Sequence, residues 1–275
     1  GLGLIIAVIA MTGCENKSSV TPRTEVGTLE MRLALLNHAG GTITNTQRAT
    51  LLSTQELVAA TAAISADPPG ADPISARTAW TRVAEQMQLL EVMQVGPAGN
   101  STDVVGGMDQ RDQMYSWPLV NPCRVDQELV SQSYKDPVAF AALPVNVRGL
   151  DALEYVLFSE GTDNACPATI LINTDGSWDA LGEDEINQRR RDFALAAAED
   201  LESRIQILSD AWSGGFLSEF TDPTNHDVYG STREAINALS NAMFYIDTDT
   251  KDIKLAIPAG ISGCATETCP ELRES

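Results

Sequence analysis

The sequence is poor in histidine, in aromatic side chains and in positive charge. It contains 2 histidines and 5% Phe, Trp and Tyr, and its 18 Lys and Arg residues face 38 Asp and Glu residues, for a formal net charge of −20. This excess argues against a nucleic-acid partner, because a phosphate backbone would be repelled. Two histidines also leave little material for a Ser-His-Asp arrangement or for a histidine-rich zinc site.

A hydrophobic run long enough to cross a membrane is lacking as well. The apolar stretch from Leu2 to Met11 is shorter than the roughly 20 residues that a spanning helix needs, but it has the length of a signal-peptide core. It ends in Met-Thr-Gly-Cys14, which resembles a bacterial lipobox. We therefore predict that residues 1–13 belong to a lipoprotein signal peptide, that Cys14 is lipidated and anchors the chain to a membrane, and that residues 14–23 form a tether. Glu15 after the cysteine favours the outer membrane, facing the periplasm or the exterior.

Four cysteines remain once Cys14 is set aside, and an even number in an envelope protein suggests two disulfides. Three pairings are possible in principle. Cys264 and Cys269 are close enough in sequence to close a local loop, which would leave Cys123 with Cys166. A zinc site is the alternative, although no Cys-x-x-Cys pair or adjacent histidine accompanies these residues.

Strand-like alternation is nearly absent, and helical periodicity dominates, so the sequence predicts an all-α protein. The longest predicted helix begins at Gly182, carries a stripe of apolar residues from Ile186 to Trp212 and ends at Gly214-Gly215. The other predicted helices cover Thr24–Asn37, Thr46–Ser65, the stretch between Asp72-Pro73 and Gly96-Pro97, Asn146–Ser159 and Ser231–Ile246.

Two carboxylates three residues apart lie on one of these predicted helices. Asp151 and Glu154 are neighbours on the helix surface, beside an apolar stripe that includes Leu150 and Leu153. Such a pair can supply oxygen ligands to a hard cation such as iron, manganese, calcium or magnesium. The alternative is a structural role, in which Asp151 pairs with Arg148 and Glu154 pairs with a neighbouring helix.

Three stretches of the chain together resemble the imelysin family of bacterial envelope proteins. The first runs from Ala79-Trp80 through Glu91 to the Gln94-x-Gly-Pro97 turn, the second is the Trp-Pro and Cys segment from Tyr115 to Asp126, and the third is Arg148–Phe158. The third resembles the helix that carries the family's Gly-x-His-x-x-Glu motif, with Asp151 in the position of the histidine.

The resemblance implies bundles of up-and-down antiparallel helices in two halves. On this basis residues 24–275 form one imelysin-like domain, whose second half begins around residues 215–230 and is incomplete. Family members have been described either as metal-dependent peptidases or as proteins of iron uptake.

A hydrolytic zinc site usually includes an imidazole. Because Asp151 stands in place of the motif histidine, the sequence favours a non-enzymatic role. We therefore expect the protein to bind a metal as a component of iron acquisition and to interact with a partner protein of the uptake system. Glu91, which matches a Glu of the family's first helix, joins Asp151 and Glu154 as a candidate ligand for a divalent cation or iron, and Asp126 is a less secure one. The alternatives are an envelope metallopeptidase and a structural surface lipoprotein without a metal.

Overall fold

The structure is a computed structural model that describes residues 25–66, 73–223 and 228–263. Its regular elements within these ranges are all helical, which confirms the all-α prediction. The α-helices are α1 (Glu25–Ala66), α2 (Ile74–Leu90), α3 (Pro122–Ser131), α4 (Pro137–Ala141), α5 (Val145–Arg148), α6 (Leu150–Phe158), α7 (Leu171–Thr174), α8 (Gly182–Ala211), α9 (Leu217–Thr221) and α10 (Thr232–Ala242). None of these described helices is both long and apolar enough to cross a membrane.

Helix α1 is a single element of 42 residues. Its buried positions alternate at spacings of four and three residues, namely Leu36, Gly40, Ile43, Gln47, Thr50, Thr54, Leu57, Thr61 and Ile64. This is the heptad pattern of a coiled-coil seam. The buried threonine hydroxyls donate to the carbonyl four residues earlier, as Thr54 does to Thr50 at 2.8 Å, so burial of these hydroxyls carries little desolvation cost. The Gln47 amide nitrogen, in contrast, is buried without a hydrogen-bond partner among the described residues.

The prediction of two separate helices in this stretch was wrong. Gly40 and Gly41 suggested a break, and the buried Gln and Thr residues weakened the apolar stripe that would have shown continuity. Gly40 instead allows α1 and α9 to pack closely, since a Cβ at this position would lie 2.9 Å from the side chains of Leu217 and Thr221 on α9.

The core lies between four helices. Helix α1 packs against α2 and α8, and α6 packs against both α2 and α8. Helix α8 contributes the predicted stripe from Ile186 to Leu208, which is buried as expected. The helix ends at Ala211, and the chain turns at Gly215, whose φ of 155° suits glycine.

Helix α10 begins with the predicted capping box. The Ser231 hydroxyl accepts from the Glu234 N–H at 3.3 Å, and the Glu234 carboxylate accepts from the Gly230 N–H at 3.0 Å. The helix ends at Ala242 rather than at Ile246, and a segment with π-helical turns follows over Ile246–Ala256. None of the residues of that segment is buried, so it is held to the domain by a few contacts rather than by a core.

A disulfide joins Cys123 at the start of α3 to Cys166, as predicted. It ties the α3 region to the loop after α6. The predictions for residues 1–23, including Cys14, and those for Cys264 and Cys269 fall outside the described residues.

Candidate functional site

The motif stretch consists of two helices with a break at Gly149. The residue is extended and forms the N-cap of α6, so the single helix predicted over Asn146–Ser159 was wrong there. Glycine is needed because a Cβ would lie 2.9 Å from the Met114 carbonyl oxygen and 2.8 Å from that of Val145. The same Met114 carbonyl accepts from the Leu150 N–H at 3.0 Å, which brings residues 114–117 against the start of α6.

Asp151 is buried and serves as an anchor for this neighbouring segment. Its Oδ2 accepts from the Ser116 N–H at 2.9 Å and from the Ser116 hydroxyl at 3.0 Å. Burial raises the pKa of Asp151, and the two Ser116 bonds oppose that rise by stabilising the carboxylate. The expected pairing of Asp151 with Arg148 was wrong, because the Arg148 guanidinium binds Asp200 on α8 at 2.8 Å.

Glu154 does not face the same surroundings as Asp151. Asp151 is 6% exposed, whereas Glu154 lies in an exposed position on α6 and has an interaction partner of its own. The two acids of the motif therefore do not converge on one point, although their spacing made them neighbours along the helix.

Glu91 follows the last residue of α2 and is 1% exposed. Its Oε2 accepts from the Tyr245 hydroxyl at 2.9 Å and lies 3.5 Å from the Arg111 guanidinium. Its Oε1 lies 2.5 Å from Nζ of Lys254. Both Tyr245 and Lys254 come from the region after α10, more than 150 residues along the chain.

Lys254 inserts its ammonium group between this carboxylate and two aromatic rings. Nζ lies 4.8 Å from the Tyr115 ring centroid and 5.0 Å from that of Trp117, within cation–π range. Burial lowers the pKa of Lys254, while Glu91 and, more weakly, Asp151 act in the opposite direction.

We call this group the carboxylate cluster. It comprises the acids Glu91 and Asp151, the cations Arg111 and Lys254, and the aromatic residues Tyr115, Trp117 and Tyr245. Lys254 and Arg111 supply positive charge to the buried acids from within the chain, and Arg111 is shared with Asp112, which it contacts at 2.9 Å.

The ligand set predicted from the sequence is only partly brought together. Glu91 and Asp151 share the electrostatic surroundings of Lys254, whereas Glu154 lies outside. Asp126 is placed elsewhere and accepts from the Tyr155 hydroxyl at 2.9 Å and from the Ala165 N–H at 2.7 Å. Within residues 25–66, 73–223 and 228–263, no three His, Cys, Asp or Glu side chains are grouped so as to hold a metal ion.

A cation already lies beside these acids, since the ammonium group of Lys254 contacts Glu91 directly and Asp151 lies within its electrostatic surroundings. Two carboxylates and a tyrosine hydroxyl are hard oxygen donors. Any metal at this position would have to replace Lys254 and would lie near Arg111, so the donor set suits an exchangeable cation better than a tightly held one. Sequence reasoning missed Arg111, Tyr245 and Lys254, since no local motif marks them.

The family model described as Imelysin matches residues 44–273, which covers most of the chain and all three stretches of the resemblance. The chain belongs to the imelysin family. The match includes α2, α6, α8 and the segment that carries Lys254, so the whole carboxylate cluster lies within the imelysin region. No curated protein and no solved structure matches the chain in the corresponding comparisons.

Proposed function

We propose that this imelysin-family chain is an envelope-anchored lipoprotein that binds a hard cation, with iron as the first candidate, and hands it to a partner protein of an uptake system. The observation that carries the proposal is the buried Glu91 carboxylate whose counter-ion is the ammonium of Lys254. The role is a binding role rather than catalysis.

Exchange of Lys254 for a metal is physically reasonable because the segment that carries it is weakly held. None of the residues of Ile246–Ala256 is buried, so little apolar surface would be exposed if the segment moved away. Its release breaks the Lys254 contact to Glu91, and the burial that lowers the pKa of Lys254 shows that this cation is poorly solvated in place. Glu91 and Asp151 would then hold the metal.

The same geometry argues against a hydrolytic centre. A catalytic zinc usually has three protein ligands, commonly including imidazole, and keeps one open position for water. In this chain Asp151 takes the motif position of the histidine, and His38 lies exposed on α1. This arrangement favours the binding role over the metallopeptidase.

The test is calorimetric titration of the folded chain with Fe²⁺, Mn²⁺ and Zn²⁺. We expect Lys254→Met to tighten binding of the hard cations by about tenfold or more, because the competing ammonium is removed. The double variant Glu91→Gln with Asp151→Asn should lose the binding. Lys251→Met is the matched control, since Lys251 lies on the same segment, is exposed and pairs with Asp247 instead.

Three results would overturn the proposal. Equal binding by wild type, Lys254→Met and the double variant would remove the carboxylate cluster as the site, and no binding by any of them would favour a structural surface lipoprotein. Chelator-sensitive cleavage of a denatured protein substrate, lost in the double variant, would restore the metallopeptidase.

A further inference from the structure

A cavity of about 450 Å³ lies beside the carboxylate cluster. Its walls come from the loop around Val104, from α10 and from the first residues of the segment that follows α10. Tyr245 separates the two sites, since it lines the cavity and also donates to Glu91. The volume is within the range of small-molecule sites, which runs from about 300 to 1,000 Å³.

The charged groups that line this cavity are all acidic. They are the carboxylates of Asp103, Glu234 and Asp249, and the lining includes no Lys, Arg or His. Glu234 is partly engaged in the cap of α10, and Asp249 accepts from the Thr248 hydroxyl at 2.8 Å. No ion pair involves Asp103 or Asp249 in the described part of the chain, so the field inside the cavity favours a cation.

One buried side chain of the cavity wall, Tyr229, has a polar group without a protein partner in the described part of the chain. Tyr229 is 1% exposed, and its hydroxyl has no hydrogen-bond partner within the described residues. Burial raises the pKa of Tyr229 to about 12, so the hydroxyl stays a neutral donor and acceptor. The hydroxyl oxygen is itself closed to solvent, so Tyr229 forms part of the cavity wall without offering its hydroxyl to a ligand.

Apolar and aromatic side chains complete the walls. Val104, Val105 and Val228 lie there with Tyr245, and Phe244 is 63% exposed although it borders the cavity. Aromatic faces and carboxylates together form the surroundings in which proteins hold organic cations. The amide of Asn241 on α10 makes no hydrogen bond within the described residues and adds a free donor and acceptor.

We propose that this cavity is a binding site for a small organic cation, an amine joined to an apolar or aromatic body. The ammonium group lies against Asp103 and Asp249, and the body lies against Phe244, Tyr245 and the valines. The proposal does not rest on the metal function, although Thr248 and Asp249 of the cavity wall lie on the segment that would move when a metal replaces Lys254.

Tryptamine is a suitable probe, and tryptophol, in which a hydroxyl replaces the amine, is its neutral counterpart. Titration of the folded chain should show tryptamine binding about tenfold or more tightly than tryptophol. Asp249→Asn should weaken tryptamine binding about fivefold, the effect of one partly exposed carboxylate. Asn241→Phe should abolish binding because the larger side chain fills the cavity.

Asp247→Asn is the matched control, because Asp247 lies on the same segment and carries the same charge but does not line the cavity. It should leave tryptamine affinity unchanged. Equal affinity for both compounds, unchanged binding in Asn241→Phe with a native circular dichroism spectrum, or no binding by wild type would overturn the proposal. None of these variants alters Glu91, Asp151 or Lys254, so failure here is distinguishable from failure of the metal proposal.

Discussion

Arg148 and Asp200 form a buried ion pair, with Nη1 of the guanidinium 2.8 Å from Oδ2 of the carboxylate. The two side chains are 2% and 9% exposed. The same guanidinium donates to the carbonyl oxygens of Gln113 and Leu143. Arg148 therefore connects α5 to α8 and to the turn before Met114. These contacts fix the position of α5, which directly precedes α6, the helix that carries Asp151.

Replacing Arg148 with Met should destabilise the protein by about 3 kcal/mol, because the Asp200 carboxylate would stay buried with a weaker partner, Arg204 at 3.4 Å. Urea unfolding followed by circular dichroism measures the loss. Arg82→Met is the control, since Arg82 and Glu56 pair on the surface with about 60% exposure each. That change should cost less than about 1 kcal/mol, and equal losses in the two variants would contradict a special role for the buried pair.

Asp151 predicts a pH dependence of stability. Its pKa is raised in the folded state by burial, so the folded protein binds this proton more strongly than the unfolded chain does. The stabilising contribution of Asp151 is therefore complete below the unfolded pKa of about 3.9 and is lost as the pH rises through the higher folded value. Asp151→Asn, which keeps an oxygen acceptor for Ser116, should gain stability relative to wild type as the pH rises.

The measurement is the difference in free energy of unfolding between wild type and Asp151→Asn from about pH 3 to about pH 7. Asp109→Asn provides a comparison of opposite sign, because hydrogen bonds from Ser101 lower the pKa of Asp109. The stabilising contribution of Asp109 is present above its unfolded pKa and is lost as the pH falls through the lower folded pKa. A flat profile for Asp151→Asn would show that this carboxylate is not desolvated.

Gly149→Ala should destabilise the protein by about 2–3 kcal/mol, since the new Cβ would collide with the carbonyl oxygens of Val145 and Met114. Thermal unfolding detects the change. Gly41→Ala is the matched substitution in α1, where a Cβ meets nothing within 4 Å. It should stabilise the protein by about 0.5–1 kcal/mol through helix propensity, and a similar loss at both positions would refute the steric account.

Removing the disulfide should cost about 4 kcal/mol, as the loop-entropy relation gives for a sequence separation of 43 residues. The test is guanidinium unfolding of Cys123→Ser with Cys166→Ser, compared with oxidised wild type. Reduced wild type should match the double variant. If reduction lowered stability much further, another disulfide would be contributing, and Cys264 and Cys269 are the predicted pair.

The helical elements could be predicted wherever a local signal was strong. The stripe of α8, the capping box of α10 and the all-α class follow from spacing and side-chain chemistry within a few turns. Helix α1 could not be predicted in full, because its seam carries glycine, glutamine and threonine at positions where an apolar residue would have marked it. The buried hydroxyls are satisfied by the helix's own carbonyls, which the residue pattern does not reveal.

The candidate site was predicted in part. Asp151 was named from its spacing to Glu154 and Glu91 through the family resemblance, and both lie near Lys254. Their partners could not be named, because Arg111, Tyr245 and Lys254 come from other segments and carry no motif. Whether any metal binds there stays a prediction.

The sequence by itself determined the helical class and the imelysin family, since these depend on periodicity and motifs, and it predicted the disulfide that joins Cys123 to Cys166, which the structure contains. Only the tertiary structure decided which charges meet. Asp151 binds Ser116, Arg148 binds Asp200 and Glu91 binds Lys254, although nearer opposite charges exist along the chain. The physical reason is that a charge interacts with whatever the fold places within about 4 Å in a poorly solvated interior, and distance along the sequence has no part in that energy.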